Sequence, residues 1–402
     1  MRKVEIIYSF SVKTKPVSIT QKVLTSRRFK SILMHTGRRH WLKQTAFLIT
    51  ALGAKSALFA NELNELPPAD KRILLNSNEN PYGPSPLAQK AIMDYYMQTN
   101  RYPDDILAEL KKKLATHWSV NEENILMGAG SSEIIGLALM TAGTKFRKQF
   151  LVADPAYSVW QNQAKAFGYD AAKIPLDKDR KYDLDKMLTR TKYIPATFIY
   201  ICNPNNPTGT FVDPDAIRRF SETIPKDTFI FVDEAYTEYA DLPSLASLAI
   251  SKPNIIVAKT FSKIYGLAGA RVGYAIAHPS TIKKLASFQP WPDGAVSTAG
   301  AAAAIASLED TGFVKDCKRK NEDTKNICYK AFKELQLDYI QSSANFILFN
   351  IDKIKKDLTK EMESRNIYVQ HREHFGGKWC RVTMGTEEEM QEFTKSLKEI
   401  AG

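Results

Sequence analysis

From about Asn121 onward, short apolar runs alternate with segments of helical periodicity. The runs are rich in Ile, Val and Phe and read ENILMG, QFLVADP, TFIYICNP, TFIFVDEAY, NIIVAKTFS and RVGYAIA. Runs that are apolar at nearly every position are typical of strands buried on both faces of a mostly parallel sheet. The sequence therefore predicts an α/β fold whose large domain contains a doubly wound, mostly parallel sheet.

Beyond about Gly300 the pattern changes. One long helical segment, FVKDCKRKNEDTKNICYKAFKEL, is followed by the short strand-like runs NFILFNI and CRVTMG and by closing helical segments. This order favours a smaller α+β domain. We predict four regions: an N-terminal extension (1–60), a segment that packs with the small domain (61–97), the large domain (98–300) and the small C-terminal domain (301–402).

The positive charge of the chain is concentrated in its first 60 residues. They hold 12 Lys and Arg against one acid, Glu5, in a chain whose formal net charge is +12. The remaining residues are therefore almost neutral and create no long-range field that would attract a polyanion. Nucleic acid is disfavoured as a partner.

Within this basic extension, the stretch GRRHWLKQ places Arg38 and Arg39 ahead of a short apolar run, TAFLITALGA. The arrangement resembles a twin-arginine export signal, with cleavage near Ala60 and a periplasmic destination. A basic amphipathic arm, an uncleaved signal anchor and a cytoplasmic location are the alternatives. An apolar run of about ten residues is too short to cross a bilayer, which needs roughly 20, so we expect no stable membrane insertion after cleavage.

The four cysteines are too few and too scattered for a disulfide framework or a zinc site. We expect ordinary core or surface thiols and no metal ligands.

Polar segments follow four of the predicted strands. In open α/β sheets ligands bind outside the carboxyl ends of the strands, so these segments are the candidate site. They are GAGSSE (128–133), NPNNPTG (203–209), DEAY (233–236) and TFSK (260–263), and Arg271 lies eight residues after the lysine. Taken singly, each is also explained as a helix cap, a turn or a strand-end ion.

Lys263 distinguishes these explanations. A lysine among small and apolar neighbours at the sheet edge loses solvation unless its charge is paired or removed. A lowered pKa makes its amine a nucleophile that forms a Schiff base with a carbonyl group. A carbonyl cofactor with a phosphate would use Lys263 for its aldehyde and Asp233 for its ring nitrogen. The phosphate would use side chains that offer hydrogen bonds or positive charge: Ser131, Ser132, Thr260, Ser262 and Arg271. The combination indicates pyridoxal 5′-phosphate.

The ordered set NPNNPTG, DEAY and SK followed by GxxGARVG resembles the fold type I pyridoxal-phosphate aminotransferases, over about residues 74–386. It is most similar to the histidinol-phosphate aminotransferase branch. The resemblance implies ping-pong transfer of an amino group between an L-amino acid and a 2-oxo acid. It also implies that Lys263 binds the cofactor aldehyde and shuttles a proton, and that Asp233 keeps the ring nitrogen protonated.

The resemblance assigns roles to further residues. Asn206 and Tyr236 would hydrogen-bond the ring oxygen O3′, with Asn206 also near the substrate, and Tyr157 in DPAY would stack on the ring. Arg381 in CRVTMGT would bind the substrate's carboxylate through two parallel hydrogen bonds. A surface ion pair is the alternative for this arginine.

Two tyrosines near the start of the body complete the implied site. Tyr82, in LNSNENPYGPS, is a candidate substrate contact at the entrance, and Tyr102, in RYPD, would reach the phosphate of the neighbouring subunit in a homodimer. Proline-punctuated surface loops are the alternative for both. Lys259 is expected to be a structural or rim charge.

One stretch departs from the histidinol-phosphate branch, which commonly carries a second arginine for the substrate's phosphate in a G-I-x-V-R run. Here the run is NIYVQHR, with Gln370 at the aligned position. Side chains alternate along a strand, so Arg372 could replace the arginine while His371 could not. Free amino acids are therefore the expected substrates, and histidinol phosphate is the alternative.

Other functions remain open for the same residues. Lys263 and Asp233 would equally serve a lyase, a decarboxylase or an oxygen-using oxidase. The reaction depends on which bond of the substrate's α-carbon lies perpendicular to the cofactor ring. A non-catalytic pyridoxal-binding regulator is disfavoured, because both residues are present and the chain has no room for a DNA-binding domain.

Overall fold

Twelve strands and thirteen α-helices lie within the described residues, 72–143 and 148–402, of the computed structural model. The strands are β1 (Ile73–Leu74), β2 (Ile125–Gly128), β3 (Gln149–Asp154), β4 (Asp170–Pro175), β5 (Phe198–Cys202), β6 (Phe229–Asp233), β7 (Ile255–Thr260), β8 (Gly273–Ala277), β9 (Phe346–Asn350), β10 (Ile367–Tyr368), β11 (Gln370–His374) and β12 (Gly377–Thr383). The predicted N-terminal extension and its export signal lie outside these residues.

The helices connect and cover the strands. They are α1 (Pro86–Tyr95), α2 (Asp104–Trp118), α3 (Ser131–Ala142), α4 (Val159–Ala166), α5 (Leu184–Tyr193), α6 (Pro214–Thr223), α7 (Thr237–Ala240), α8 (Ala246–Ser251), α9 (Pro279–Ala286), α10 (Thr298–Glu309), α11 (Thr311–Glu334), α12 (Leu358–Glu363) and α13 (Glu387–Ala401). None of these helices in the described part of the chain is both long enough and apolar enough to cross a membrane.

Seven strands form the large sheet, in the order β2-β8-β7-β6-β5-β3-β4. Strand β8 pairs antiparallel with both of its neighbours, β2 and β7, while the remaining pairings are parallel. The carboxyl ends of six strands and the beginning of β8 therefore lie at one edge of the sheet. The predicted α/β fold with a mostly parallel sheet is confirmed.

Aromatic side chains pack the interior of this sheet. Phe150 stacks on Phe198 with ring centroids 5.3 Å apart, and Tyr200 stacks on Phe231 at 5.9 Å. All four are fully buried, and burying such a side chain contributes about 1.5–3 kcal/mol. This layer stabilises β3, β5 and β6 side by side, which positions the loops that follow them.

Strand β4 is not predicted by the sequence. Its segment, DAAKIP, lies at the edge of the sheet, pairs with β3 alone and is largely exposed. An edge strand needs no continuous apolar run, since one side and much of its surface face solvent. The pattern that reveals the central strands is therefore weak here.

The C-terminal third forms a second, antiparallel sheet in the order β11-β12-β9. It packs on the long helix α11 and the last helix α13, with Phe332, Phe349 and Phe393 in a separate apolar core that also includes Leu75. Residues 71–402 form one compact unit. The region boundaries at 60, 97 and 300 stay predictions.

Candidate active site

One cavity at the carboxyl edge of the large sheet brings together eleven of the thirteen residues that the sequence assigns to the site. They are Ser131, Ser132, Tyr157, Asn206, Asp233, Tyr236, Thr260, Ser262, Lys263, Arg271 and Arg381. Strand β8 begins at this edge because it runs opposite to its neighbours. Arg271, which immediately precedes β8, therefore joins residues that follow the parallel strands.

A helix N-terminus and a guanidinium meet in this cavity. Helix α3 begins behind Gly130, whose φ is 80° and which has no side chain to cap the first N–H groups. Arg271 donates from Nη2 to the carbonyl of Ala129 at 3.1 Å. A Cβ on Gly130 would lie 2.5 Å from that nitrogen, so only glycine lets the guanidinium approach. Uncapped N–H groups next to a cation form a site for an anion.

Strand β8 comes equally close to this helix. A Cβ on Gly273 would lie 2.5 Å from the backbone nitrogen of Ser131. The Thr260 hydroxyl donates to Ser262 Oγ at 2.9 Å and accepts from the Ser262 backbone N–H at 3.1 Å. The absence of side chains at Gly130 and Gly273 and the turn at Thr260 therefore bring hydroxyl and backbone N–H donors close together.

Asp233 is a buried carboxylate at the end of β6. Its Oδ2 accepts from the Tyr200 hydroxyl at 2.8 Å, and its Oδ1 accepts from the Ala235 backbone N–H at 3.1 Å. Burial raises the pKa of Asp233, while these two hydrogen bonds and the charge of Lys263 oppose the shift. A buried carboxylate is stabilised most by a cationic partner, and the protonated nitrogen of a pyridine ring would be one.

Lys263 has the lowered pKa that the sequence predicts. Burial, with the nearby charge of Arg381 acting in the same direction, lowers the pKa of Lys263 to about 8. Its Nζ donates to the carbonyl of Ser77 at 3.3 Å and lies 5.9 Å from the ring centre of Tyr236. At pH 7 roughly a tenth of this amine is unprotonated, far more than for a lysine of ordinary pKa, and the unprotonated form is the one that a nucleophile requires.

Arg381 and Tyr236 are linked through Asn206. Arg381 donates from Nη1 to Asn206 Oδ1 at 2.7 Å and from Nη2 to the carbonyl of Asn76 at 2.9 Å. The Asn206 amide in turn donates to the Tyr236 hydroxyl at 3.3 Å. Arg381 is 9% exposed, and its Nε is buried without a hydrogen-bond partner. A buried guanidinium with an unused donor is suited to an anionic ligand.

Several lining residues are not predicted by the sequence. Ser77, Asn78, Glu79 and Cys202 line the cavity, and Tyr200 supports Asp233 from within the sheet. The polar run LNSNENPYGPS signals an unusual segment, but the contacts that bring it here come from Thr383 and Asn345, which lie 305 and 267 positions from Asn78. Cys202 and Tyr200 occupy ordinary strand positions and carry no local signal.

Two of the residues assigned from the sequence, Tyr82 and Tyr102, lie elsewhere. Tyr82 is partly buried beside Lys320, whose Nζ is 4.5 Å from its ring centre, and it does not line the cavity. Tyr102 is 82% exposed and packs edge to face against Trp291 at 5.2 Å. Their roles stay predictions.

Lys259 is a structural charge and not a rim charge. It is buried and pairs with Glu238 at 2.7 Å and Glu234 at 3.5 Å, and it donates to the Thr237 hydroxyl at 2.5 Å. These partners hold its pKa above the usual range although burial acts in the opposite direction. A paired lysine is no nucleophile, so the two lysines of KTFSK have opposite roles.

The chemistry of this donor set fits pyridoxal phosphate. Hydroxyls, a helix N-terminus and Arg271 suit a phosphate, and a buried carboxylate without a cation of its own suits a protonated ring nitrogen. The charges of Asp233 and Arg271 both act on Lys263, so the amine lies near both groups that would hold the cofactor.

Comparison with known proteins gives an independent result. The family model "Aminotransferase class I and II" matches residues 70–397. A histidinol-phosphate aminotransferase of Caldicellulosiruptor saccharolyticus is 37% identical over 337 residues, which are 82% of this chain and 92% of that protein. One of Moorella thermoacetica is 35% identical over 337 residues, covering 82% of this chain and 85% of that protein.

A solved structure agrees with the sequence comparisons. The histidinol-phosphate aminotransferase of Sinorhizobium meliloti, in complex with pyridoxal-5′-phosphate, has a TM-score of 0.75 and 26% sequence identity. The match covers 82% of this chain and 90% of that one.

Proposed function

Since the chain belongs to the aminotransferase class I and II family, whose members use pyridoxal phosphate, we propose that it moves the amino group of a free L-amino acid to a 2-oxo acid. The donor and the acceptor use the same cavity in turn. The observation that carries the choice of substrate is the buried, partly unsatisfied guanidinium of Arg381 near the amine of Lys263, whose pKa burial lowers to about 8.

Each group in the cavity has one task. When bound, pyridoxal phosphate supplies an aldehyde that takes up the amino group and a ring that withdraws electrons from the substrate's α-carbon. Asp233 holds positive charge at the ring nitrogen, and Arg271 with the hydroxyls of Ser131 and Ser132 holds the phosphate. Lys263 accepts and returns the proton at the α-carbon, because burial lowers the pKa of its amine to about 8, near working pH.

Arg381 fits the carboxylate of an amino acid. Asn206 and the carbonyl of Asn76 fix two of its nitrogens, which keeps the planar guanidinium in one orientation. A carboxylate that binds this plane through two hydrogen bonds places the α-carbon in a defined position.

A phosphorylated amino alcohol is the second candidate donor. The relatives named above are histidinol-phosphate aminotransferases. Gln370 lies directly opposite Arg381 in the β11–β12 ladder, and Arg372 lies two residues further on the same face. Burial lowers the pKa of Arg381, and the Arg372 charge acts in the same direction, so the two cations are close enough to interact. Arg372 is exposed, whereas Arg381 is buried.

A donor screen distinguishes the two candidates. The purified protein from residue 61 onward is expected to convert 2-oxoglutarate to glutamate, detected by mass spectrometry, with free L-amino acids and less efficiently with L-histidinol phosphate. Arg372→Ala should reduce kcat/KM for free amino acids less than about threefold, because an exposed charge contributes little.

The control for that screen is Arg319→Ala, which removes another exposed arginine, from α11. If histidinol phosphate is the best donor and Arg372→Ala lowers its kcat/KM at least about tenfold, the phosphorylated donor is correct. Decarboxylated products or hydrogen peroxide in place of a 2-oxo acid would support the lyase, decarboxylase or oxidase alternatives.

We propose that the active molecule is a homodimer. Large apolar side chains project into solvent from one stretch of the chain: Leu87, Met93, Tyr96, Met97 and Tyr102. An exposed group of this size favours a protein partner over solvent, and Tyr102 is the residue assigned to the neighbouring subunit's phosphate. A single monomeric species in sedimentation velocity at micromolar concentration would contradict this.

We also propose that the protein is exported by the twin-arginine route, which carries folded proteins. The support is the sequence alone: Arg38 and Arg39 before a short apolar run. Export of a folded protein is compatible with a cofactor bound before transport. A cytoplasmic location is the alternative.

Replacing Arg38 and Arg39 with lysine is expected to leave nearly all of the activity in the cytoplasm of a host that has this pathway, since the pathway requires the paired arginines. The measurement is aminotransferase activity in periplasmic and cytoplasmic fractions. The matched control is the double lysine replacement of Arg27 and Arg28, a pair without an adjacent apolar run. If the wild type and both double variants divide their activity between periplasm and cytoplasm in the same way, the proposal is excluded.

A further inference from the structure

The Tyr236 hydroxyl receives two hydrogen bonds from side-chain amides. Asn78 donates to it at 3.0 Å and Asn206 at 3.3 Å. Tyr236 is 4% exposed, its ring packs edge to face on Phe346, and it lines the cavity. A phenol has one proton and two lone pairs. If both bonds are donated to its oxygen, its own proton has only the cavity left to point into.

The orientation of the Asn206 amide is fixed by Arg381. A guanidinium only donates, and its Nη1 lies 2.7 Å from Asn206 Oδ1. The oxygen of the amide must therefore face Arg381, and its NH₂ group must face Tyr236.

The orientation of the Asn78 amide is fixed by Thr383. The backbone N–H of Asn78 donates to the Thr383 hydroxyl at 2.9 Å, so that oxygen acts as an acceptor there. Its proton is donated back to Asn78 Oδ1 at 3.2 Å. The Asn78 NH₂ group is left for Tyr236.

The backbone of Asn78 is held equally firmly. Its carbonyl accepts from the Asn345 side chain at 3.1 Å, and its φ of 54° is a left-handed conformation that asparagine tolerates. Asn78 and Thr383 are each 1% exposed, so water does not compete for these bonds.

We propose that Asn78 and Thr383 are positioning residues that set the direction of the Tyr236 hydroxyl bond and make it a fixed hydrogen-bond donor to the cavity. Neither residue touches the reacting atoms. They act through Tyr236, whose oxygen they occupy together with Asn206.

The proposal rests on the proposed function and on the role that the family resemblance implies for Tyr236, a hydrogen bond to the phenolic oxygen O3′ of bound pyridoxal phosphate. A fixed donor stabilises the deprotonated form of that oxygen and so lowers the pH at which the bound cofactor loses its proton. The loss is visible as a change in the absorbance of the holoenzyme, which is independent of turnover.

The first test is Asn78→Asp in the holoenzyme, titrated between pH 5 and 10 by absorbance. The aspartate side chain has nearly the same shape as asparagine and tolerates the left-handed backbone conformation. Its carboxylate, however, accepts a hydrogen bond from the Tyr236 hydroxyl, whereas the Asn78 amide donates one to it. The pH midpoint of this absorbance change is expected to rise by roughly one unit or more, since the deprotonated oxygen O3′ loses the hydrogen bond from Tyr236.

The second test changes no charge. Thr383→Val removes the hydroxyl that orients Asn78, while Thr383→Ser keeps it. The valine variant is expected to raise the midpoint by at least about 0.3 unit and the serine variant by less than about 0.1 unit. Asp233, Lys263, Arg381 and Cys202, the ionisable groups around Tyr236, are the same in all of these proteins.

The outcomes separate this inference from the cofactor assignment. An unchanged midpoint in Asn78→Asp, or equal shifts in the two Thr383 variants, would overturn the positioning role and leave the aminotransferase intact. A wild-type protein that gives no pH-dependent absorbance with pyridoxal phosphate would overturn both.

Discussion

Replacement of Lys263 with alanine is expected to abolish the yellow colour of the protein with pyridoxal phosphate and to lower kcat by at least about a thousandfold. Lys263 is the cavity amine whose pKa is lowered, to about 8, so it is the one that becomes neutral near physiological pH. The pKa of Lys259, four residues earlier, is raised by Glu238 and Glu234. Among the described residues that line the cavity, the alanine variant therefore has no other amine to take over.

The measurement is borohydride reduction followed by peptide mapping. In the wild-type protein the reduced adduct is expected on Lys263, in the peptide 260–271, and Lys259 is expected to stay unmodified. An adduct on another residue, or full turnover in the alanine variant, would contradict the assignment. The rate at which the apoprotein takes up pyridoxal phosphate should rise with pH through about 8, because the amine must lose its proton first.

Replacement of Asp233 with asparagine is expected to lower kcat by about a hundredfold or more. The amide keeps the shape and a hydrogen bond with Tyr200 or Ala235, but it carries no charge to hold a proton on the ring nitrogen. Steady-state kinetics and cofactor titration are the measurements. Cofactor affinity should fall much less than kcat, since the phosphate contacts are unchanged.

The matched control for Asp233 is Tyr200→Phe, which removes one hydrogen bond and leaves the carboxylate in place. Loss of that bond raises the pKa of Asp233 further, because the Tyr200 hydroxyl stabilises its charged form. Activity of the control should therefore be close to normal at high pH and fall at a higher pH than in the wild type as the solution is acidified. Near-normal kcat in Asp233→Asn would exclude the charge-holding role.

The sequence reveals the strands and the site loops because both follow from local pattern. Central strands must be apolar throughout, and a buried lysine or aspartate directly after such a strand stands out. This pattern predicts Lys263 and Asp233. Arg271 is predicted from its position eight residues after the lysine, and the topology of β8 explains why it joins them.

Features that depend on distant partners are not visible in the sequence. Asn78 is one polar residue in a polar run until Thr383 and Asn345 fix it beside Tyr236. Lys259 and Lys263 occupy similar local settings, and only Glu234 and Glu238 distinguish the paired lysine from the unpaired one. Edge strand β4 has too few apolar residues to be recognised.

The hydrogen bonds of Asn78 to Thr383 and of Arg381 to Asn76 join residues 305 positions apart. Contacts between residues so far apart in sequence form late in folding. The chain loses the entropy of closing a very large loop before these hydrogen bonds can stabilise it. A nascent chain whose strand β12 is still inside the ribosome lacks the part of the cavity that β12 contributes. The yellow absorbance with pyridoxal phosphate would thus mark chains whose synthesis is complete. Partly synthesised or C-terminally truncated chains should stay colourless even in excess pyridoxal phosphate.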